Sequence, residues 1–484
     1  MHKKRRKNKI YLNIFFNIIA LIAVVIMLIF CFYLYRLDMI PIKYLGIVYG
    51  VIGTIFLILV LLTLPRNIKF GIKIACFFIF LCFSLVFGLG IKYVDKTISF
   101  LDVINDELSQ KEEYHVSVLS DSYNNIKDLE GKKSGLYSTS DEVLEKVEKL
   151  LKKEVVSEIV VYTDVVLMFE DLSENKISAV ITNSSIETLL DSDLSYMQLK
   201  LESLSTLMVP IEEVDIVKVV DVTNTPFNVY IAGGDAYGSI NKVTNTDVNM
   251  VVSVDPVNHK LLLTSIPRDY YVNLPGKGED AYDKLTHAGY YGIGESVKTV
   301  EKLLDIEINY YVKVNFSTIE GVIDAIGGVD VYSDYKFCNW GSATACFTKG
   351  KNHLNGYEAL MFARERHAFK DGDVQRVKNQ QKVLSALVDK VTSSTALITN
   401  YTEILDSVKK SFSTNMDTKS INRLVKMQIS DMRGWNIESQ NLVGTGASEK
   451  TYTFPKMKLY VMKRDEESIT NAIFKINEFM GRNG

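Results

Sequence analysis

The sequence predicts a membrane-anchored α/β protein: three N-terminal bilayer-spanning helices, a small α/β domain, then a larger α/β domain. Three observations predict it. Apolar runs fill most of the first hundred positions, short β-branched runs alternate with amphipathic ones beyond them, and arginines and aspartates gather near expected strand ends between Asp235 and Gln381. The expected boundaries are 1–97 for a basic tip and three spans, 98–220 for the small domain and 221–484 for the large one.

The apolar runs cover roughly Ile10–Leu34, Tyr44–Leu64 and Phe70–Tyr93. Each is close to the roughly twenty residues a helix needs to cross a bilayer. Lys73, near the start of the third run, is expected to snorkel to the interface. The first run is longer than a secretory h-region, and Cys31 and Phe32 stand near its end where a cleavage site would need small residues. Basic residues crowd Lys3–Lys9 before the first span, and Arg66, Lys69 and Lys73 surround the second turn; the first turn is less basic and carries Asp38. Positive charge marks the cytoplasmic side, so the N-terminus is expected inside and the chain after about Lys96 outside the cell.

The second region alternates strand and helix. Ser134–Tyr137, Val155–Val156, Ile159–Tyr162 and Ile177–Thr182 read as strands; Ser140–Leu151, Val165–Leu172 and Ser185–Leu190 read as helices. Neither a nucleophile–base pair nor a metal cluster stands out there, so an accessory or binding module is expected. The third region opens at Phe227–Ala232. Val248–Val254 and Lys260–Ser265 form an expected hairpin, followed by a helix at Ser296–Leu304, a strand at Tyr310–Val314, a helix at Ser317–Ile326, a strand at Val329–Tyr332 and helices at Tyr357–Ala363 and Val374–Val391. The remainder, to Gly484, is assigned to the same domain.

The formal net charge of -3 excludes a whole-chain basic field for nucleic acid. Of five cysteines, Cys31, Cys76 and Cys82 lie in the spans, leaving Cys338 and Cys346 as the only pair outside them. An oxidising exterior favours a disulfide between these two; two free thiols are the alternative.

The charged residues suggest a phosphate site. Arg donates a planar fork of hydrogen bonds and keeps its charge, while Asp supplies the hard oxygens that hold Mg²⁺ beside phosphate. Asp235 follows Gly233-Gly234, and Asp247 begins the next strand; as isolated residues, turn or capping roles are the more probable explanation. Pro267 ends a strand and puts Arg268 at its carboxyl end, although a surface pair with Asp269 is the plainer reading. Lys284 could hold phosphate as a point charge; His287 is expected to be a packed histidine. Arg364 and Arg366 would point the same way if the chain there is extended. Asp373 and Arg376 lead into a helix on which Arg376 and Gln380 share a face.

In order, the chain contains Gly234-Asp235, Asp247, Ser265-Ile266-Pro267-Arg268-Asp269, Lys284-x-x-His287-Ala288, Tyr310-Tyr311-Val312-x-Val314-Asn315-Phe316, Gly327-Gly328-Val329, Leu354-Asn355-Gly356-x-x-Ala359-Leu360-x-Phe362-Ala363-Arg364-x-Arg366 and Asp373-x-x-Arg376-x-x-x-Gln380-Gln381. This series, from about Pro226 to Val391, resembles the LytR–CpsA–Psr family of bacterial cell-envelope proteins, and the three spans with an accessory domain look like its capsule-type subgroup. The resemblance implies an α-β-α sandwich with an apolar tunnel for a prenyl chain. It implies a phosphotransferase that moves a glycopolymer from undecaprenyl pyrophosphate to peptidoglycan through a phosphodiester. Asp235 and Asp247 would hold Mg²⁺, with Mn²⁺ as an alternative. Arg268, Arg364, Arg366 and Arg376 would bind pyrophosphate, with Lys284 and Gln380 nearby, and Asp373 would activate the acceptor hydroxyl. Capsule or wall-polymer assembly proteins are the implied partners. Two positions depart from the family pattern: Asn245-Thr246 replaces Arg-Ser before Asp247, and Thr286 replaces Asn. A polyprenyl-pyrophosphate hydrolase and a non-catalytic envelope-lipid receptor are the other classes compatible with these residues.

Overall fold

The structure, a computed structural model, describes residues 2–65, 67–106, 111–138, 141–191, 194–210, 216–234, 245–339, 345–393, 404, 407 and 412–482. It divides into two compact units, Met1–Val103 with Asp417–Met432, and Ile104–Met416 with Arg433–Gly484.

The first unit holds α1 (His2–Leu37), α2 (Ile42–Thr63) and α3 (Phe70–Asp106). All three are long and apolar enough to cross a membrane. They associate through Ala20, Ala23, Phe56, Leu59, Phe80 and Phe87; small residues on α1 admit the rings of its partners. Lys73 does not snorkel outward as expected. Its ammonium donates to the Asn13 side chain at 2.6 Å and to the Thr63 carbonyl at 2.9 Å. α3 continues past residue 97 and beyond the hydrophobic run, since no Gly or Pro interrupts Lys92–Asp106.

In the second unit, the accessory region is a sheet of five described strands: β1 (Lys111–Leu119), β2 (Lys133–Tyr137), β3 (Glu158–Tyr162), β4 (Ala179–Asn183) and β5 (Leu201–Pro210), in the order β3-β2-β4-β1-β5. Val155–Val156, expected as strand, precedes β3 as loop. Helices α4 (Asp141–Leu151), α5 (Val165–Ser173) and the short α6 (Ser184–Glu187) accompany the sheet. Asp164 caps α5 by accepting from Val166 and Leu167 amides. Its apolar residues Val165, Val166, Phe169 and Leu172 pack in one cluster with Tyr290, Phe454 and Leu459 of the larger region.

The larger region is built on six described strands: β6 (Phe227–Gly234), β7 (Thr246–Asp255), β8 (Lys260–Ile266), β11 (Tyr310–Asn315), β16 (Phe412–Thr414) and β17 (Asn436–Asn441). Their order is β16-β11-β6-β7-β8-β17. β6 runs parallel to β11 and antiparallel to β7. Two short ribbons lie outside this sheet, β9 (Tyr271–Asn273) with β10 (Tyr282–Lys284), and β12 (Val329–Ser333) with β15 (Gly350–Leu354). A third pairs β13 (Phe337–Cys338) with β14 (Cys346–Phe347) and carries the Cys338–Cys346 disulfide.

Strand alternation sends residues to opposite sheet faces. Tyr230, Ala232, Val251, Leu262 and Tyr311 enter a core with Val297 and Val300 of α8 (Ile293–Leu304) and Ile469 and Ile476 of a C-terminal helix, Glu466–Phe479. A short helix, α7 (Leu285–Ala288), precedes α8. The intervening residues Ile231, Val248, Met250 and Val314 face the other way, towards α9 (Phe316–Ala325), α10 (Gly356–Arg364) and α11 (Asp373–Ser393). The result is an α-β-α sandwich. The segment Thr418–Asp431 forms α12 and belongs to the first unit rather than to the sandwich domain expected for all of 221–484. There, Asn422 donates to the Leu37 carbonyl at 3.2 Å and Lys426 pairs with Asp38. The C-terminal helix Glu466–Phe479 is α13, preceded by the hairpin of β18 (Gly444–Lys450) and β19 (Lys458–Arg464).

Candidate functional site

Between the sheet and α9–α11 lies a cavity of about 400 Å³. It is built by spacing along α11. Arg376, Gln380, Val383, Leu384 and Leu387 line it, at intervals that keep one helical face towards the sheet. From Arg376 to Leu387 that face extends about 16 Å at the rise of an α-helix. Arg268, Arg364, Arg366 and Asp247 line the cavity too, and the charges of Arg268, Arg366 and Asp247 act on Arg376; Val383 and Leu387 share an apolar cluster with Ile319 and Leu360. The cavity therefore passes from guanidinium to hydrocarbon.

Asp247 reaches the cavity through a defect in the sheet. Gly233 pairs with Val248 but Gly234 pairs with Thr246, leaving Asp247 as the extra residue of a β-bulge. A bulge re-aims a side chain that regular alternation would send to the opposite face. Gly233 is required there because a Cβ would stand 2.7 Å from Val248 Cβ.

Arg268 follows Ile266, the last residue of β8. Its Nη1 donates to Asp247 Oδ2 at 2.8 Å, and its Nε lies 3.6 Å from Asp269 Oδ2. Burial works against the charge on Arg268, but Asp247 and Asp269 outweigh it and hold the guanidinium well above its ordinary value. Arg376 is 6% exposed, and its Nη2 lies 2.6 Å from Asp373 Oδ1 in the first turn of α11. Burial pulls Arg376 below its ordinary value; Asp373 opposes this, while the charges of Arg268 and Arg366 reinforce it. The Nε atoms of both Arg268 and Arg376 are buried without a hydrogen-bond partner. Buried charged donors left in this state create a strong demand for an anion.

The remaining expected residues divide. Arg364 is the last residue of α10 and Arg366 lies two residues beyond, so the arginines do not share an extended strand, yet both reach the cavity. Gln380 lines it as well. Lys284 stands one step back, with Nζ 3.8 Å from Asp269 Oδ1. His287 is 1% exposed, 2.6 Å from Asp283 through Nδ1, and stacked on Tyr290. Asp235 lies outside the described residues, so the proposed pair with Asp247 is described on one side only.

Sequence reasoning missed Glu365 and Asn339. Both line the cavity, and Glu365 accepts from Asn339 Nδ2 at 3.1 Å and from the Ala368 amide at 2.9 Å. The available signal was an acidic residue held between two arginines.

Among the described residues no cluster of three metal-ligating side chains occurs. The donor chemistry nevertheless fits a hard divalent cation: Asp247 is presented by the bulge, and the Asn245 amide oxygen two residues earlier is buried without a hydrogen-bond partner.

Guanidinium groups and apolar side chains thus line one cavity, an arrangement suited to an amphiphile with an anionic head. The LytR_cpsA_psr family model matches residues 209–469, and the chain belongs to that family. A polyisoprenyl-teichoic acid–peptidoglycan teichoic acid transferase TagU of Bacillus cereus is 38% identical over 192 residues, covering 40% of this chain and 61% of that protein. The TagU of Enterococcus faecalis is 31% identical over 253 residues, covering 51% of this chain and 80% of that protein. The chain thus spans about three-fifths of the length of the Bacillus relative. The crystal structure of Bacillus subtilis TagT aligns at 29% identity and a TM-score of 0.43, over 55% of this chain and 95% of that one.

Proposed function

We propose that this protein transfers a glycopolymer from a polyprenyl-pyrophosphate carrier to peptidoglycan at the outer face of the membrane. The observation that carries this reading is the order of residues along one face of α11, from Arg376 to Leu387: pyrophosphate at the arginine end, prenyl chain along the apolar remainder. The three apolar helices would keep the site close to the bilayer that holds the carrier.

In the reaction, an acceptor hydroxyl oxygen bonds to the phosphorus that carries the polymer. The bond from that phosphorus to the bridging oxygen breaks, and lipid phosphate leaves with the electron pair. The hydroxyl proton passes to Asp373, which the first turn of α11 places beside Arg376. Arg268 and Arg376 would donate to the pyrophosphate oxygens, and Arg364 and Arg366 would spread the charge of the leaving phosphate. Asp247 and Asp235 would hold Mg²⁺, which when bound neutralises pyrophosphate charge. Lys284 acts through Asp269 and so orients Arg268.

The test is incubation of the purified full chain with a labelled lipid-linked donor, with and without peptidoglycan. Label entering peptidoglycan supports transfer. Equal release of free polymer in both arms would identify a hydrolase, and binding without turnover a receptor.

A further inference from the structure

The hairpin β18–β19 was not recognised in the sequence as part of any site. The structure joins it to the Arg268–Asp269 segment. Tyr270 and Met462 form a parallel bridge, and the Met462 amide donates to the Asp269 carbonyl at 2.7 Å. Tyr460 lies two residues before Met462, about 6.7 Å along the strand. The parallel sense of the bridge carries that step back towards Arg268.

Alternation on β19 gives Leu459 and Tyr460 opposite surroundings. Leu459 is 6% exposed in the cluster shared with the accessory region, whereas Tyr460 is 55% exposed. Its ring is nevertheless not loose. Gly446, the cross-strand partner of Met462 and so diagonal to Tyr460, lies beneath it, and a Cβ there would stand 3.0 Å from Tyr460 Cε2 and 3.3 Å from its hydroxyl. A glycine under an aromatic ring holds that ring flat against the hairpin and leaves its other face to solvent. In the connection between the two strands, Lys456 pairs with Asp164 at 2.8 Å and Phe454 is fully buried. Both ends of β19 are therefore fixed, one on the accessory region and one on the Asp269 loop. Burial first, then the charges of Asp269 and Asp373, raises the Tyr460 hydroxyl above its ordinary range.

We propose that Tyr460 is a positioning residue that stacks on a sugar ring at the rim of the phosphate site. An exposed aromatic face with a polar tip suits a pyranose, which presents C–H groups on its faces and hydroxyls at its edge. Two sugars meet at the reacting phosphorus, the one that carries it in the donor and the one that receives it in the acceptor. Either could occupy this face. The inference rests on the transfer reaction proposed above.

The experiment compares the full chain with Tyr460→Ala and Tyr460→Phe. Donor and acceptor are varied separately in the transfer assay, and a short peptidoglycan glycan and a soluble polymer fragment are titrated calorimetrically without turnover. The expected result is a KM raised about tenfold or more for one substrate in Tyr460→Ala, with kcat within about threefold. Tyr460→Phe should restore KM to within about twofold, because the ring is retained. A shift in acceptor KM assigns the acceptor sugar; a shift in donor KM assigns the donor sugar. Should no transfer occur, the reaction proposed above fails, and loss of calorimetric glycan binding in Tyr460→Ala alone would still support sugar recognition. Unchanged KM values and unchanged glycan binding in Tyr460→Ala overturn the inference, as does a Tyr460→Phe variant as impaired as Tyr460→Ala.

Discussion

Replacing Arg268 by Ala should remove most transfer while leaving the fold intact. The guanidinium stands 2.8 Å from Asp247, and its buried Nε lies 3.6 Å from Asp269, an ion pair too long for a hydrogen bond. Its loss removes a forked donor to pyrophosphate and exposes the incoming anion to two carboxylates no longer screened. A unit charge at about 5 Å and an effective dielectric constant near 20 contributes about 3 kcal/mol. That lies within the roughly 2–5 kcal/mol measured when one partner of a buried charged pair is truncated. The expected fall in kcat/KM is thus about 30- to 4,000-fold. Stability should change far less. The carboxylates left behind, Asp247 and Asp269, are 16% and 17% exposed, so water can solvate them when the guanidinium is removed. Arg268→Lys should fall between wild type and Arg268→Ala, since it keeps the charge and loses the fork. The assay is the initial rate of labelled polymer transfer, paired with thermal unfolding of each variant. A folded Arg268→Ala protein with wild-type kcat/KM would refute the placement of pyrophosphate at these arginines.

Asp235→Ala and Asp247→Ala should each weaken the Mg²⁺ dependence of transfer, and the double variant should be little worse than either, because ligands of one ion act as a unit; strictly additive losses would assign them separate roles. Reduction of Cys338–Cys346, eight residues apart, should remove about 2–3 kcal/mol of loop-closure stabilisation and lower Tm by a few degrees with activity retained below the transition; an unchanged Tm would contradict this. A cysteine introduced at exposed Ser120 in a cysteine-free background should react with a membrane-impermeant thiol reagent in intact cells; labelling only after lysis would reverse the topology.

Much of this architecture was legible because single-residue chemistry enforced it. The spans follow from length and apolarity, and β6–β8 follow from β-branched runs closed by a turn at Asp255-Pro256. Arg376 and Gln380 met on one face because four residues make about one helical turn. Three kinds of feature were hidden. Polar strands were missed: β1 reads Lys-Glu-Glu-Tyr-His-Val-Ser-Val-Leu, and its polar His115 side chain is held within the sheet by Glu187 at 2.8 Å. The bulge at Asp247 was also hidden, since register depends on the partner strand. So was the destination of residues 418–431, whose amphipathic pattern fits a sandwich helix as well as it fits the α1–α2 turn. Lys73 shows the same limit, because its partners Asn13 and Thr63 come from two other helices.

The measurement closest to the central claim is the chemical identity of the product. Peptidoglycan incubated with wild-type protein and lipid-linked donor would be digested to muropeptides and analysed by mass spectrometry. A muropeptide carrying polymer through one phosphodiester, dependent on Arg268 and Asp373, is the result expected. Polymer recovered only as free phosphate or pyrophosphate, in equal amount with and without peptidoglycan, would contradict transfer.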